Sequence, residues 1–176
     1  MGKILVTGMP GCGKEEFVKI AGNMGYDVVR MGDVVREWAR DMGLGADDKS
    51  IGGFADSERK KNHYGIWAER TLERLSKKDT VIDGVRGDRE VRVFREELGD
   101  DLVVVAVHAS PSIRYARLVK RGRDDAPGRK EEFLQRDERE LGWGLGRVIA
   151  KADMVIVNQG TLEEFRKDVE KFFSEL

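Results

Sequence analysis

Short runs of consecutive apolar residues alternate along the chain with longer stretches in which apolar positions recur every three or four residues. The short runs are Lys3–Thr7, Asp27–Arg30, Thr80–Asp83, Leu102–His108 and Met154–Val157. Being apolar almost throughout, they have the pattern of strands buried on both faces. Between them lie amphipathic stretches that predict helices over Lys14–Met24, Asp33–Asp41, Phe54–Lys77, Asp88–Glu97, Ser112–Arg121, Lys130–Leu141 and Leu162–Phe173. Strand–helix alternation implies parallel strands with right-handed crossovers. The expected fold is a three-layer α/β/α sandwich around a five-stranded parallel sheet.

Local start signals agree with these assignments. Asp33 is expected to cap the helix Val34–Asp41, and Pro111 or Ser112 opens the helix after the fourth strand. Thr161-Leu-Glu-Glu164 reads as a capping box. Two polar, glycine-rich segments, Gly43–Gly53 and Gly122–Gly128, interrupt the alternation and read as joints.

Composition narrows the function classes. The 176 residues suit one domain with inserted lobes. With 32 Lys and Arg against 33 Asp and Glu, no overall basic field exists to hold a polynucleotide, so nucleic acid is not the expected partner. One cysteine, Cys12, excludes an internal disulfide. The longest apolar run, Leu102–Val107, falls far short of the roughly 20 residues that span a bilayer. A soluble, cytoplasmic protein with no membrane partner is expected; the oligomeric state is not legible.

Candidate chemistry begins at the first strand–helix junction. Gly8-Met9-Pro10-Gly11-Cys12-Gly13-Lys14 matches G-x-x-x-x-G-K, and it lies between a buried strand and an amphipathic helix, the context the phosphate loop requires. Glycines let main-chain N–H groups turn inward around an anion, and the helix N-terminus adds its positive end. Lys14 supplies a compact cation for the β- and γ-phosphates. ATP or GTP binding follows, with ATP as the expected co-substrate. The next residue in such loops is a Ser or Thr that holds magnesium, but here it is Glu15. A carboxylate is a hard oxygen ligand that can also bind Mg²⁺, yet it is longer and repels phosphate. Tolerated replacement and weakened catalysis are both open.

With the loop, further stretches carry a resemblance. Arg30–Ala39 ("RMGDVVREWA") resembles the acceptor segment of adenylate kinases, where a Gly-Asp pair precedes an arginine that grips the acceptor. Val81–Asp88 ("VIDGVRGD") is similar to their Asp-Gly strand end followed by an arginine. The segments His108–Asp125 with Arg136–Gly144, and Ala152–Phe165, resemble the lid and C-terminal parts of the same superfamily. Over nearly its full length the chain is similar to the archaeal adenylate-kinase-related, dephospho-CoA-kinase-like P-loop proteins, from which it departs at Glu15. The resemblance implies an acceptor-binding insertion at about residues 31–77 and a lid at about 121–145. It also implies transfer of a γ-phosphoryl group to a small nucleotide-like acceptor, with Mg²⁺ as cofactor.

Phosphoryl transfer is positioning plus charge neutralisation, and the residues fall into roles accordingly. Asp83, ending a buried strand, is the second expected metal-ordering carboxylate beside Glu15; its bland alternative is the turn before Gly84. Arg123 and Arg136 are the lid cations expected at the transferring group, and Asn158 is expected near the adenine. Arginine suits this work because its planar fork grips phosphate oxygens in pairs. Asp33, Arg36, Arg59 and Arg86 are the acceptor-side candidates. A nucleoside monophosphate would be clamped by Arg36 and Arg86, whereas the hydroxyl of dephospho-CoA would need a base, for which Asp33 is the candidate. A reading from another class also stands, in which Glu15 has made the chain a nucleotide-binding regulator with little turnover. Trp38, Trp67 and Trp143 are read as packing, and His63 and His108 lack partners at metal-ligand spacing.

Overall fold

A computed structural model describes residues 2–45, 47–99, 101–122 and 127–176. Within them the five expected strands form with the expected bounds: β1 (Lys3–Thr7), β2 (Asp27–Arg30), β3 (Thr80–Asp83), β4 (Leu102–His108) and β5 (Met154–Val157). They make one all-parallel sheet in the order β2-β3-β1-β4-β5. Register pairs Val6 with Asp83 and Asp83 with Arg30, which aligns the carboxyl ends of the three strands. The chain fills the sheet on one side of β1 and then on the other. The loop after β1 therefore lies at the switch point, where open parallel sheets bind ligands.

Two cores cover the sheet. On one face Ile4, Val6, Val81 and Val105 pack against Phe17 of α1 (Lys14–Asn23) and against Phe165, Val169 and Phe172 of α9 (Leu162–Ser174). The rings of Phe17, Phe172 and Phe173 sit with centroids 5.1–5.7 Å apart, in tilted and edge arrangements. On the other face Leu5, Ile82 and Val104 meet Val34 and Val35 of α2 (Met31–Asp41), Trp67 of α4 (Ile66–Leu72) and Phe94 of α5 (Asp88–Leu98). This double burial explains the uninterrupted apolar strands.

Three expectations need correction. The predicted helix Phe54–Lys77 is two helices, α3 (Asp48–Lys61) and α4. Asn62 folds its side-chain amide back onto the Glu58 carbonyl at 3.0 Å, and His63 Nδ1 accepts from the Gly65 N–H at 3.2 Å, so the turn terminates α3. The joint expected over Gly43–Gly53 is shorter, because the Asp47 carboxylate caps α3 through the Ser50 N–H at 3.0 Å. Asp33 does not cap its helix: α2 begins at Met31, leaving Asp33 in its first turn. The chain continues through α6 (Pro111–Arg121), α7 (Lys130–Gly142) and α8 (Leu145–Ala150), the last too short to show a period in sequence. The capping box at Thr161 and Glu164 forms as expected. Among the described residues no helix is long and apolar enough to cross a membrane.

Candidate active site

The loop after β1 adopts a conformation that only glycine permits at its ends. Gly8 has φ +144°, and a Cβ there would lie 2.3 Å from the Val107 carbonyl oxygen. Gly13, at φ +111°, opens α1, and a Cβ on it would meet Asn158 Nδ2 at 2.3 Å. Lys14 folds back over the loop, its Nζ donating to the Gly8 carbonyl at 2.5 Å and lying 3.8 Å from Cys12 Sγ. Cys12 is buried and fills a slot beneath the loop, and its N–H closes a turn on the Met9 carbonyl at 3.1 Å.

Asn158 is not an open contact for a base. It is buried, its Nδ2 donates to the Cys12 carbonyl at 2.9 Å, and its Oδ1 accepts from Arg117 at 3.0 Å. It braces the loop from behind. Arg114 braces it from the side and went unnoticed in the sequence. Its Nη1 reaches the Pro10 carbonyl at 3.1 Å and Asp137 Oδ1 at 2.9 Å, its Nε reaches the Ala109 carbonyl at 3.2 Å, and its Nη2 pairs with the second Asp137 oxygen. This fork ties the phosphate loop to α6 and α7. A signal existed, because Arg114 stands four residues before the buried Leu118, on the apolar stripe of α6.

In front of the loop opens a cavity of about 540 Å³. Of the expected residues Lys14, Glu15, Asp83 and Arg136 reach its wall, and Arg117 and Arg121 join them there. The Asp83 Oδ1 atom is buried and has no hydrogen-bond partner. Burial raises the Asp83 carboxyl above its ordinary value, while the charges of Lys14, Arg30 and Arg86 oppose that rise. The orphaned oxygen in a cationic cavity suits a hard divalent cation. Glu15, on the first turn of α1, is 60% exposed, and its Oε2 lies 3.9 Å from Arg121 Nη1. Arg123, the other expected lid cation, falls outside the described residues.

A second cavity, of about 270 Å³, adjoins the first and shares Lys14, Asp83, Arg36, Arg86 and Glu140 with it. It lies between α2, α3 and α7, where the acceptor was expected. Arg136, Arg139 and Glu140 form one face of α7 toward this space, and Trp143, which caps the helix, continues it. Arg86 and Glu140, the latter 2% exposed, form a short ion pair across the wall. Arg59 reaches the wall too, but it is buried and committed to Glu90 at 2.9 Å, so its first role is to hold α3 against α5. Glu90 also accepts the N–H groups of Arg86 and Gly87 at 2.8 and 3.3 Å, fixing the turn after Asp83. Asp33 reaches neither cavity wall; exposed, it pairs with Arg36. Trp143 is no mere packing residue, for it faces the cavity with Arg59, Arg86 and Arg139 each 5.2–5.5 Å from its ring centroid.

A family model described as an AAA domain matches residues 7–134. The UPF0200 protein Ta0179 of Thermoplasma acidophilum is 46% identical over 173 residues, covering 98% of this chain and 95% of that protein. Among solved structures, a shikimate kinase from Bacteroides thetaiotaomicron superposes with TM-score 0.69 at 14% identity, covering 99% of each chain. A dephospho-CoA kinase from Campylobacter jejuni gives TM-score 0.58 at 16% identity, covering 98% of this chain and 96% of that one. At such identities the structural likeness shows the shared P-loop kinase-like fold.

Proposed function

The chain belongs to the UPF0200 family of archaeal P-loop proteins, and on that premise we propose that it is an ATP-dependent phosphotransferase acting on a small nucleotide-like acceptor. The observation that carries this reading is the partnerless buried oxygen of Asp83, facing the same cavity as Lys14 and the phosphate loop. Phosphoryl transfer needs a metal ion ordered beside the phosphates, and this oxygen is placed to help order one. In this reading the loop amides and Lys14 hold the β- and γ-phosphates. Asp83 and Glu15 hold Mg²⁺, which would neutralise charge on those phosphates. Arg117, Arg121 and Arg136 face the charge that builds up during transfer. Arg36 and Arg86 receive the acceptor. The resemblance of residues 30–39 and 81–88 to adenylate kinases, and the fold shared with solved small-molecule kinases, support this assignment of roles.

The test is Mg²⁺-dependent ADP production by the purified chain, screened over nucleoside monophosphates and dephospho-CoA. At least one acceptor is expected to raise ADP release well above the acceptor-free rate. A folded, ATP-binding protein that no acceptor stimulates would defeat the reading. One observation favours a second reading, a nucleotide-binding regulator with little turnover: Glu15 stands where a hydroxyl belongs and faces Arg121 at the rim. Glu15→Ser separates the two, since a large gain in Mg²⁺-dependent turnover would mean that the native carboxylate restrains catalysis.

A further inference from the structure

We infer that the acceptor presents a phosphomonoester, rather than a hydroxyl, as the attacking group. This rests on the kinase reading above. A hydroxyl nucleophile must lose a proton, so a base has to stand within hydrogen-bonding reach of it. The acceptor cavity supplies none that is free for the task. Its wall among the described residues carries no His, Ser, Thr, Tyr or Cys, and only two carboxylates, Asp83 and Glu140. Glu140 is engaged in its ion pair with Arg86. Asp83 is assigned to the metal, and a carboxylate on a divalent cation is a poor proton acceptor. Asp33, which the sequence offered as the base, lies off the wall in its ion pair with Arg36.

The rest of the wall points the same way. Seven basic side chains, from Lys14 to Arg139, line the wall; Arg36, Arg59 and Arg86 among them already pair with Asp33, Glu90 and Glu140, and Lys14, Arg30, Arg136 and Arg139 add to the positive field. Trp143 gathers three of the arginines around its indole. Such an array matches a phosphate dianion and gives a neutral sugar or polyol little reason to bind. A phosphomonoester, whose second pKa is about 6, is already ionised at neutral pH. One of its oxygens attacks the γ-phosphorus of ATP. The new P–O bond forms as the bond from the γ-phosphorus to the β–γ bridging oxygen breaks, ADP leaves, and the product is a phosphoanhydride. No proton has to be moved.

The experiment incubates the full chain with ATP and Mg²⁺, offering nucleoside monophosphates in one arm and nucleosides or dephospho-CoA in the other. Products are read by ³¹P NMR. The expected result is loss of the monophosphate resonance with a matching growth of mutually coupled anhydride resonances beyond those of the ADP formed from ATP. Asp33→Asn should keep kcat within about tenfold, because no base is lost. An uncoupled phosphomonoester resonance from the hydroxyl arm would overturn the inference while leaving the kinase reading intact. A fall in kcat of ~100-fold or more for Asp33→Asn, with KM unchanged, would overturn it too, since that is the scale of general-base catalysis. If neither arm yields product although ATP binds, the kinase reading fails and takes this inference with it.

Discussion

The fork made by Arg114 is the most sharply testable element of the site. Its side chain is 4% exposed and that of Asp137 is 12% exposed, and two nitrogens of the guanidinium meet two oxygens of the carboxylate. Replacing Arg114 with Met leaves the Asp137 charge buried without its partner, which costs about 3–5 kcal/mol. It also strips a donor from the Pro10 and Ala109 carbonyls. In a domain of this size each kcal/mol moves Tm by about 2–4 °C, so Arg114→Met should melt about 6–20 °C below the native protein. Adding Asp137→Leu removes the stranded charge and should recover most of the loss, because apolar replacement of a buried pair is often neutral. Loop function should not recover with it, since the Pro10 carbonyl still lacks its anchor; ATP should bind about tenfold more weakly in both variants. Calorimetric melting and ATP titration of both single variants and the double variant complete the cycle. A single variant that loses less than about 1 kcal/mol, or a double variant no more stable than Arg114→Met, would refute the reasoning.

Three other outcomes follow from the site. Gly13→Ala forces a left-handed backbone onto a residue whose Cβ would collide with Asn158 Nδ2, so nucleotide binding should be lost; unchanged ATP affinity in titration calorimetry would contradict this. Asp83→Asn should abolish Mg²⁺-dependent turnover while altering the pH dependence of stability. Because the native carboxyl is raised in the fold, the folded state holds its proton longer than the unfolded chain does. Stability from this group is therefore fully present at low pH and falls as pH rises from the ordinary carboxylate value, about 3.9, through the folded value. The Asn variant lacks that fall, and a Tm difference between the two proteins that stays constant with pH would count against it. Glu15→Ser, freed of the charge facing Arg121, should bind ATP more tightly at low salt and lose most of that advantage at high salt; an affinity gain indifferent to ionic strength would exclude electrostatic repulsion as its cause.

The sheet was legible because both faces of each strand are covered, which leaves an apolar run with no polar interruption. The phosphate loop was legible because glycines at 8 and 13 answer to local steric demands. What escaped the sequence was long-range pairing. Arg114 and Arg117 belong to no motif, and only the fold shows donors of theirs meeting Pro10, Asp137 and Asn158. Asn158 was expected near the adenine, and its burial against Cys12, which comes from the packing of β5 beside β4, was not foreseen. The division of α3 from α4 was missed because Asn62 and His63 end the helix by side-chain folding, a choice that residue type alone does not dictate. Asp33 illustrates the reverse error: a residue of suitable chemistry and spacing sits just off the wall it was expected to line.

The amide of Asn158 grasps the Cys12 carbonyl across 146 residues of chain, so the glycine-rich loop is completed by a contact that exists only once β5 has paired with β4. Closing so long a loop is entropically costly and slow, so this brace is expected to join late in folding, with the segment from Gly8 to Gly13 reaching its final shape only as the sheet is completed.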